Sequence, residues 1–271
     1  MLKQFRTSVY RVNVNHSLLF VCMEIGVVGK KKQKPTKELA VVIRKFNKGC
    51  VDYNLLEDGD RILIAVSGGK DSLLLTKLLA ERARIFRPSI HVEAAHVVMD
   101  NVPYETDRSY LHQFCNDLGV PLHILHSRFD STVDPRKTRC FLCAWHRRKA
   151  LFAFAAEHGF NKVALGHHQD DILITWLMNI SFEGSSLPVM PPRLKLEHYP
   201  LDIIRPLCLV FERDIALAAQ RLDFVKQKVA CPYEETTRRS EVSAIFNQLE
   251  RLNPEVRYSM WKAMGVSSQY Q

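Results

Sequence analysis

The sequence offers no membrane-length apolar run. The stretch 17–28 is interrupted by Glu24, whereas a transmembrane helix needs about 20 predominantly apolar residues. Scattered basic residues precede it, as they would in a signal peptide, but no small-residue cleavage pattern follows. Neither export nor a membrane segment is expected. A disulfide framework is also missing. The seven cysteines, Cys22, Cys50, Cys115, Cys140, Cys143, Cys208 and Cys231, are odd in number and scattered, which favours thiols or metal ligands in an intracellular chain. There is no Walker phosphate loop, because no glycine stands at the required distance before the Gly69-Lys70 pair. There is no second CxxC either, which excludes a four-cysteine zinc site.

With 271 residues, 46% of them hydrophobic, the chain can bury a sizeable core in one large α/β domain with a small appendage. Lys and Arg number 38 against 29 Asp and Glu, a formal charge of +9, which suits a polyanionic partner such as nucleic acid and also serves solubility. Residues 1–37 lack amphipathic periodicity and end in the cluster Lys30-Lys31-Lys32-Gln33-Lys34-Pro35-Thr36-Lys37. They are expected to form a basic, poorly ordered arm. If translation starts at Met23, residues 1–22 do not belong to the native protein.

The chain is organised around Ser67-Gly68-Gly69-Lys70-Asp71-Ser72. The apolar run 62–66 feeds into this loop and a helical pattern over 73–83 follows it. Two glycines at a strand-to-helix turn let backbone N–H groups close on phosphate oxygens, and the helix N-terminus adds its positive dipole end. An ordinary tight turn with a charged helix start would share the Gly-Gly-Lys but not the whole hexapeptide.

Further strands are expected at 90–98, 122–125, 162–165 and near 203–205. Helices are expected at 38–48, 106–118, 139–158, 172–180 and 212–222, with an amphipathic helix after Cys231 carrying a basic rim that includes Arg238, Arg239 and Arg257. Strands alternating with helices predict an α/β fold, a parallel sheet with helices on both faces and a small helical C-terminal part. The corresponding divisions are 1–37, 38–225 and 226–271. Ligands in such sheets sit at the carboxyl ends of strands where the strand order reverses. The hexapeptide, Met99-Asp100-Asn101 and His167-His168-Gln169-Asp170-Asp171 all fall at such ends.

Cys140-Phe141-Leu142-Cys143 opens a predicted helix, with Arg147 on the same stripe. Two buried cysteines or a redox pair are the alternatives, although a redox pair usually follows the first strand of its fold. With Cys231 in a turn-like setting, three thiolates suit a cubane iron–sulfur cluster with one open iron that could bind sulfide. Asp170 and Asp171 read either as N-terminal caps or as carboxylates facing a triphosphate, able to hold Mg²⁺ or act as acid or base. Asp71 is the other candidate for Mg²⁺.

The hexapeptide resembles the SGGxDS loop of the PP-loop ATP pyrophosphatases. Five further blocks, Asn54-Leu55-Leu56-Glu57-Asp58-Gly59-Asp60, Cys140 to Cys143 with Arg147-Arg148, Leu165 to Asp171, Met190-Pro191-Pro192-Arg193-Leu194 and Ile204-Arg205-Pro206-Leu207, join it in order. Together they resemble the tRNA 2-thiocytidine synthetases over residues 39–265. The resemblance implies an adenine nucleotide α-hydrolase-like fold. It also implies a cytoplasmic enzyme, possessing a [4Fe–4S] cluster on Cys140, Cys143 and Cys231, that uses ATP and Mg²⁺ on tRNA. The C2 oxygen of a cytidine would attack the α-phosphorus and expel pyrophosphate into the cradle formed by Ser67, Gly68, Gly69, Lys70, Asp71 and Ser72. Sulfide would then displace AMP. Asp170 is expected at the cofactor, and Asp71, Arg147 and Asp171 carry the catalytic roles. A sulfur-donor protein such as a cysteine desulfurase is implied, and a homodimer is allowed. Family members commonly carry a second CxxC, whereas Glu234 stands here. The 2-thiouridine synthetases and lysidine ligases are weaker matches, the first for want of terminal zinc-finger cysteines and the second for lack of the CxxC. A non-catalytic nucleotide-dependent tRNA binder is the rival from outside enzymology.

Overall fold

A computed structural model describes residues 35–102, 106–130, 138–187, 190–225 and 238–266. The expected arm up to residue 34 and Cys231 lie outside the described residues. The strands are β1 (Asp60–Ala65), β2 (Ile90–Met99), β3 (Leu122–Ser127), β4 (Lys162–Ala164), β5 (Arg193–Lys195) and β6 (Asp202–Ile204). They form one sheet in the order β3-β2-β1-β4-β6-β5, parallel except where β5 runs antiparallel to β6. The strand order therefore reverses between β1 and β4, and in such sheets the ligand crevice lies at the carboxyl ends of those strands.

The helices are α1 (Lys37–Asp52), α2 (Lys70–Ala83), α3 (Arg108–Leu118), α4 (Arg139–Glu157), α5 (Gln169–Met178), α6 (Glu212–Arg221), α7 (Arg238–Leu252) and α8 (Val256–Ala263). Alternation along β1 distributes them. Ile62 and Ile64 face a core with α1, α2, α3 and α6, while Leu63 faces the opposite core, filled by Leu142, Leu151 and Ala155 of α4. A third cluster joins Ile172, Leu173 and Trp176 of α5 to Val242 and Phe246 of α7 and Met260 of α8. The expected helices on both faces and at the C-terminal end are present.

Local chemistry sets the boundaries. Helix α3 starts later than its apolar pattern suggests because Asp107 takes the cap position and accepts from Tyr110 N–H at 3.1 Å. It stops at Gly119, whose φ of 71° is left-handed. Helix α5 gives way to a π turn, Asn179–Glu183, where the sequence pattern suggested continued α-helix. Strand β5 falls where a loop was expected, since three residues after Pro191-Pro192 show no alternation to read. Among the described residues no helix is long and apolar enough to cross a membrane.

The amino end of the sheet is held by a buried charge cluster. Lys162 Nζ lies 2.7 Å from both Asp60 Oδ2 and Glu57 Oε2 and donates to Leu55 O at 3.2 Å. Arg193 extends it, reaching Asp202 at 2.7 Å and Glu57 at 3.0 Å. Glu57 and Asp60 of the block 54–60 and Arg193 of the block 190–194 thus meet at this end of the sheet, where they clamp β1, β4, β5 and β6. Substituting Lys162→Met leaves Asp60 buried without its cation, so urea unfolding should show a loss of about 3–5 kcal/mol. ATP affinity of the folded protein should be unchanged, and a stability loss below about 1 kcal/mol would contradict the clamp.

Candidate active site

The phosphate cradle follows from β1 ending directly before a helix. Val66 N–H still pairs with Ala95 O at 2.9 Å, and Gly68 then turns the chain with φ of 88°, which an L side chain rarely adopts. Ser72 Oγ closes the loop by donating to Gly69 O at 2.8 Å and accepting from Ser67 N–H at 3.2 Å. Gly69 is the cap of α2 and offers no side-chain acceptor, so the first-turn donors point toward an incoming anion.

Across the crevice β4 ends at a second glycine. A Cβ on Gly166 would stand 3.2 Å from Ser72 N and 3.3 Å from Asp71 C and Ser72 Cα. Glycine lets the chain after β4 approach the first turn of α2 this closely without displacing its backbone. Behind it His168 caps α5: its Nδ1 accepts from Asp171 N–H at 3.4 Å while Asp171 Oδ2 accepts from His168 N–H at 3.0 Å. Its Nε2 lies 3.4 Å from Asp171 Oδ2 and 4.0 Å from Asp71 Oδ1, between the carboxylates of the two loops.

The two adjacent aspartates part company. Asp170 is buried and both of its oxygens are engaged, Oδ1 by Arg257 Nη2 at 2.5 Å and Oδ2 by Glu212 N–H at 2.8 Å. Burial opposes ionisation of Asp170, but Arg257 and the Glu212 N–H prevail and hold its pKa below the usual value. Asp171 faces His168 and is paired through Oδ1 with Arg239, which also donates to Thr175 Oγ1 at 3.1 Å. Arg257, expected on a basic rim, turns inward instead, while Arg239 stays 42% exposed as it reaches Asp171.

Asp71 is in a different state. Burial raises its pKa against the opposing pull of Lys70 and His168, and its buried Oδ1 makes no hydrogen bond among the described residues, although Lys70 Nζ lies 3.3 Å away. Lys70 also meets Glu212 at 3.2 Å. Burial would lower the Lys70 pKa, but the Asp71 and Glu212 carboxylates outweigh it and the value is raised. An under-satisfied carboxylate oxygen beside a phosphate cradle fits a hard divalent cation.

Arg147 approaches from α4, and its charge is felt at His96. His96 Nδ1–H donates to Val66 O at 2.7 Å, and burial keeps this ring below its ordinary pKa. His167 is pushed down to about 4, by burial and then by Arg205, and its buried Nδ1 has no hydrogen-bond partner among the described residues. His96, His168, Gly166 and Glu212 carried no assigned role in the sequence reading. Gly166 and His168 were signalled by their place directly after a strand, and His96 and Glu212 had no local signal.

Cys140 and Cys143 occupy the first turn of α4, one exposed and one half-buried. Cys50, Cys115 and Cys208 are buried, and burial pushes their thiols up to about 12, up to about 11 and well above the ordinary value respectively. Among the described cysteines only the CxxC pair is accessible to a metal. No group of three His, Cys, Asp or Glu among the described residues is arranged to hold a metal ion.

The PP-loop domain family model matches residues 38–230. The tRNA-cytidine(32) 2-sulfurtransferase of Bdellovibrio bacteriovorus is 37% identical over 83% of this chain and 88% of its own length. The protein of the same name in Stenotrophomonas maltophilia is 32% identical over 88% of this chain and 78% of its own. Among solved structures, the U34-tRNA thiolase NcsA from Methanococcus maripaludis, determined with its [4Fe–4S] cluster, has a TM-score of 0.71 and 29% identity. The match covers 84% of this chain and 78% of that one.

The approach at Gly166 can be tested directly. Gly166→Val should push the cradle off Ser72 at a packing cost of about 1–3 kcal/mol and weaken ATP binding roughly tenfold or more. Unaltered ATP affinity by calorimetry would show that the contact does not shape the cradle.

Proposed function

Because the chain belongs to the PP-loop family and, within it, to the tRNA-cytidine(32) 2-sulfurtransferases, we propose that it uses ATP to exchange the C2 oxygen of a tRNA cytidine for sulfur. The position is 32 of the anticodon loop, by similarity to those relatives. The products are 2-thiocytidine, AMP and diphosphate. One observation carries this reading: the cradle at 67–72 and the Asp71 and Asp171 carboxylates converge at the switch point between β1 and β4.

A carbonyl oxygen is a poor leaving group and must first be activated. The cradle holds the β- and γ-phosphates and leaves the α-phosphorus open to the C2 oxygen, which forms a P–O bond as the bond to diphosphate breaks. Asp71 holds Mg²⁺ through its under-satisfied oxygen, and Lys70 turns from Glu212 to the charge developing on the departing diphosphate. Asp171, fixed by His168 and Arg239, and Arg147 orient the base and stabilise charge at C2 as sulfur adds and AMP leaves. Asp170 positions this apparatus through Arg257. A [4Fe–4S] cluster on Cys140, Cys143 and Cys231 would supply, when bound, thiophilic iron for the incoming sulfur. A donor of cysteine desulfurase type supplies that sulfur in the cytoplasm as a persulfide, which a two-electron reductant of dithiol type brings to sulfide with release of the donor's thiol, and a homodimer is compatible with this scheme. Residues 1–37, 38–225 and 226–271 serve as arm, ATP-binding domain and helical completion of the site.

Mass spectrometry of tRNA nucleosides provides the test. A deletion strain should lack 2-thiocytidine and regain it with the wild-type gene, but not with Asp71→Ala, Cys143→Ala or Cys231→Ala, and the two cysteine variants should purify anaerobically with depleted iron. Loss of a 2-thiouridine instead would move the reaction to the base that the NcsA neighbour modifies.

A further inference from the structure

Beside the crevice lies a second cleft of about 750 Å³, between α7, α8 and the segment that leads into α6. Its walls carry three kinds of group. Tyr258 and Trp261 provide rings, while the Phe211 ring is already covered by Lys45, Arg213 and Arg257; Asn247 provides an amide that both donates and accepts, and Gln169, whose Oε1 accepts from Arg257 at 3.4 Å, keeps its amide N–H groups as donors. Trp261 is fixed by its Nε1–H, which donates to the Tyr53 hydroxyl at 2.8 Å. Tyr258 is 66% exposed, so its ring face is available to a ligand.

The third kind is positive charge. Arg257 is already committed to Glu250 and Asp170. Arg213 and Arg251 also line the cleft and form no ion pair among the described residues. Arg213 instead lies over the Phe211 ring, 4.9 Å from its centroid. Glu255 is the carboxylate on this wall not held by Arg257, so two uncompensated cations face one anion.

Flat rings that stack on any π face, amides that read base edges and rim guanidinium groups for phosphate together match a nucleotide of unpaired RNA. A ligand without polar edges would leave the amides unsatisfied, and a free phosphate would leave the rings unused. The volume lies within the usual range of about 300–1,000 Å³ for small-molecule pockets and accommodates a nucleotide.

The cleft also shares walls with the crevice. Gln169 lines the cleft from the same first turn of α5 that places Asp171 in the crevice. Phe211 lines it immediately before Glu212, the partner of Lys70. We infer that this cleft holds an unstacked single-stranded nucleotide flanking the one in the crevice, with its base on Tyr258 and its phosphate at Arg213 and Arg251. That the RNA is tRNA rests on the function proposed above; the binding of an unpaired nucleotide does not.

The test uses the full-length protein, the oligonucleotides heptauridylate and heptacytidylate, and ATP. Tyr258→Ala should weaken oligonucleotide binding roughly 5- to 150-fold, the loss of one base stack, while Tyr258→Phe should retain it. Arg251→Ala should make the log–log salt slope shallower by about 0.7, one phosphate contact to a single strand. ATP affinity should stay constant in all three. Unchanged oligonucleotide affinity and slope in Tyr258→Ala and Arg251→Ala would overturn the assignment, as would a parallel loss of ATP affinity. Protein that binds the oligonucleotides through Tyr258 but forms no 2-thiocytidine in the cell keeps the cleft and removes the proposed reaction. Protein that forms it with Tyr258 indifferent removes the cleft alone.

Discussion

Two ion pairs at the start of α5 hold the site together. Asp170 with Arg257 and Asp171 with Arg239 tie the loop after β4 to the two C-terminal helices, which otherwise reach the sheet through the cluster of α5, α7 and α8. The pairs differ in kind. Asp170 and Arg257 each have side chains 12% exposed, so removing either leaves a largely desolvated charge, whereas Arg239 is 42% exposed and its bond is screened and exchangeable. The buried pair fixes α8 against the start of α5, and the more exposed pair holds α7 there less tightly.

The crevice then concentrates ionisable groups in states unfavourable for the folded chain alone. The raised pKa of Asp71 means that its ionised form is disfavoured in the fold. The sign follows: this destabilisation is present above the folded pKa and fades as pH falls through the window between that value and the unfolded one. Burial lowers Arg205 to about 10, which still leaves it cationic at neutral pH, while His167 is neutral there. A polyanion with a bound cation would satisfy such a constellation, which is what ATP and Mg²⁺ offer.

The sequence made contiguous features readable. The hexapeptide carries its strand, its glycines and its helix within one window, and the strand-helix alternation revealed the doubly covered sheet. What it could not show depends on distant partners. Asp170 and Asp171 look alike in sequence, and only Arg257, 87 positions away, and Arg239 separate their roles. The block 54–60 accompanies the site blocks in sequence, yet its Glu57 and Asp60 serve the Lys162 clamp at the other end of the sheet. Strand β5 was too short to show a period, and the close approach at Gly166 is a property of two loops that meet only in the fold.

The central claim is that the C2 oxygen of the cytidine attacks the α-phosphorus above the cradle at 67–72. Substrate tRNA carrying ¹⁸O at the C2 position of the target cytidine, turned over with unlabelled ATP and a sulfide source, decides it. The account predicts one ¹⁸O atom in the AMP released for each 2-thiocytidine formed. Unlabelled AMP, with the ¹⁸O recovered in water or diphosphate, would contradict it.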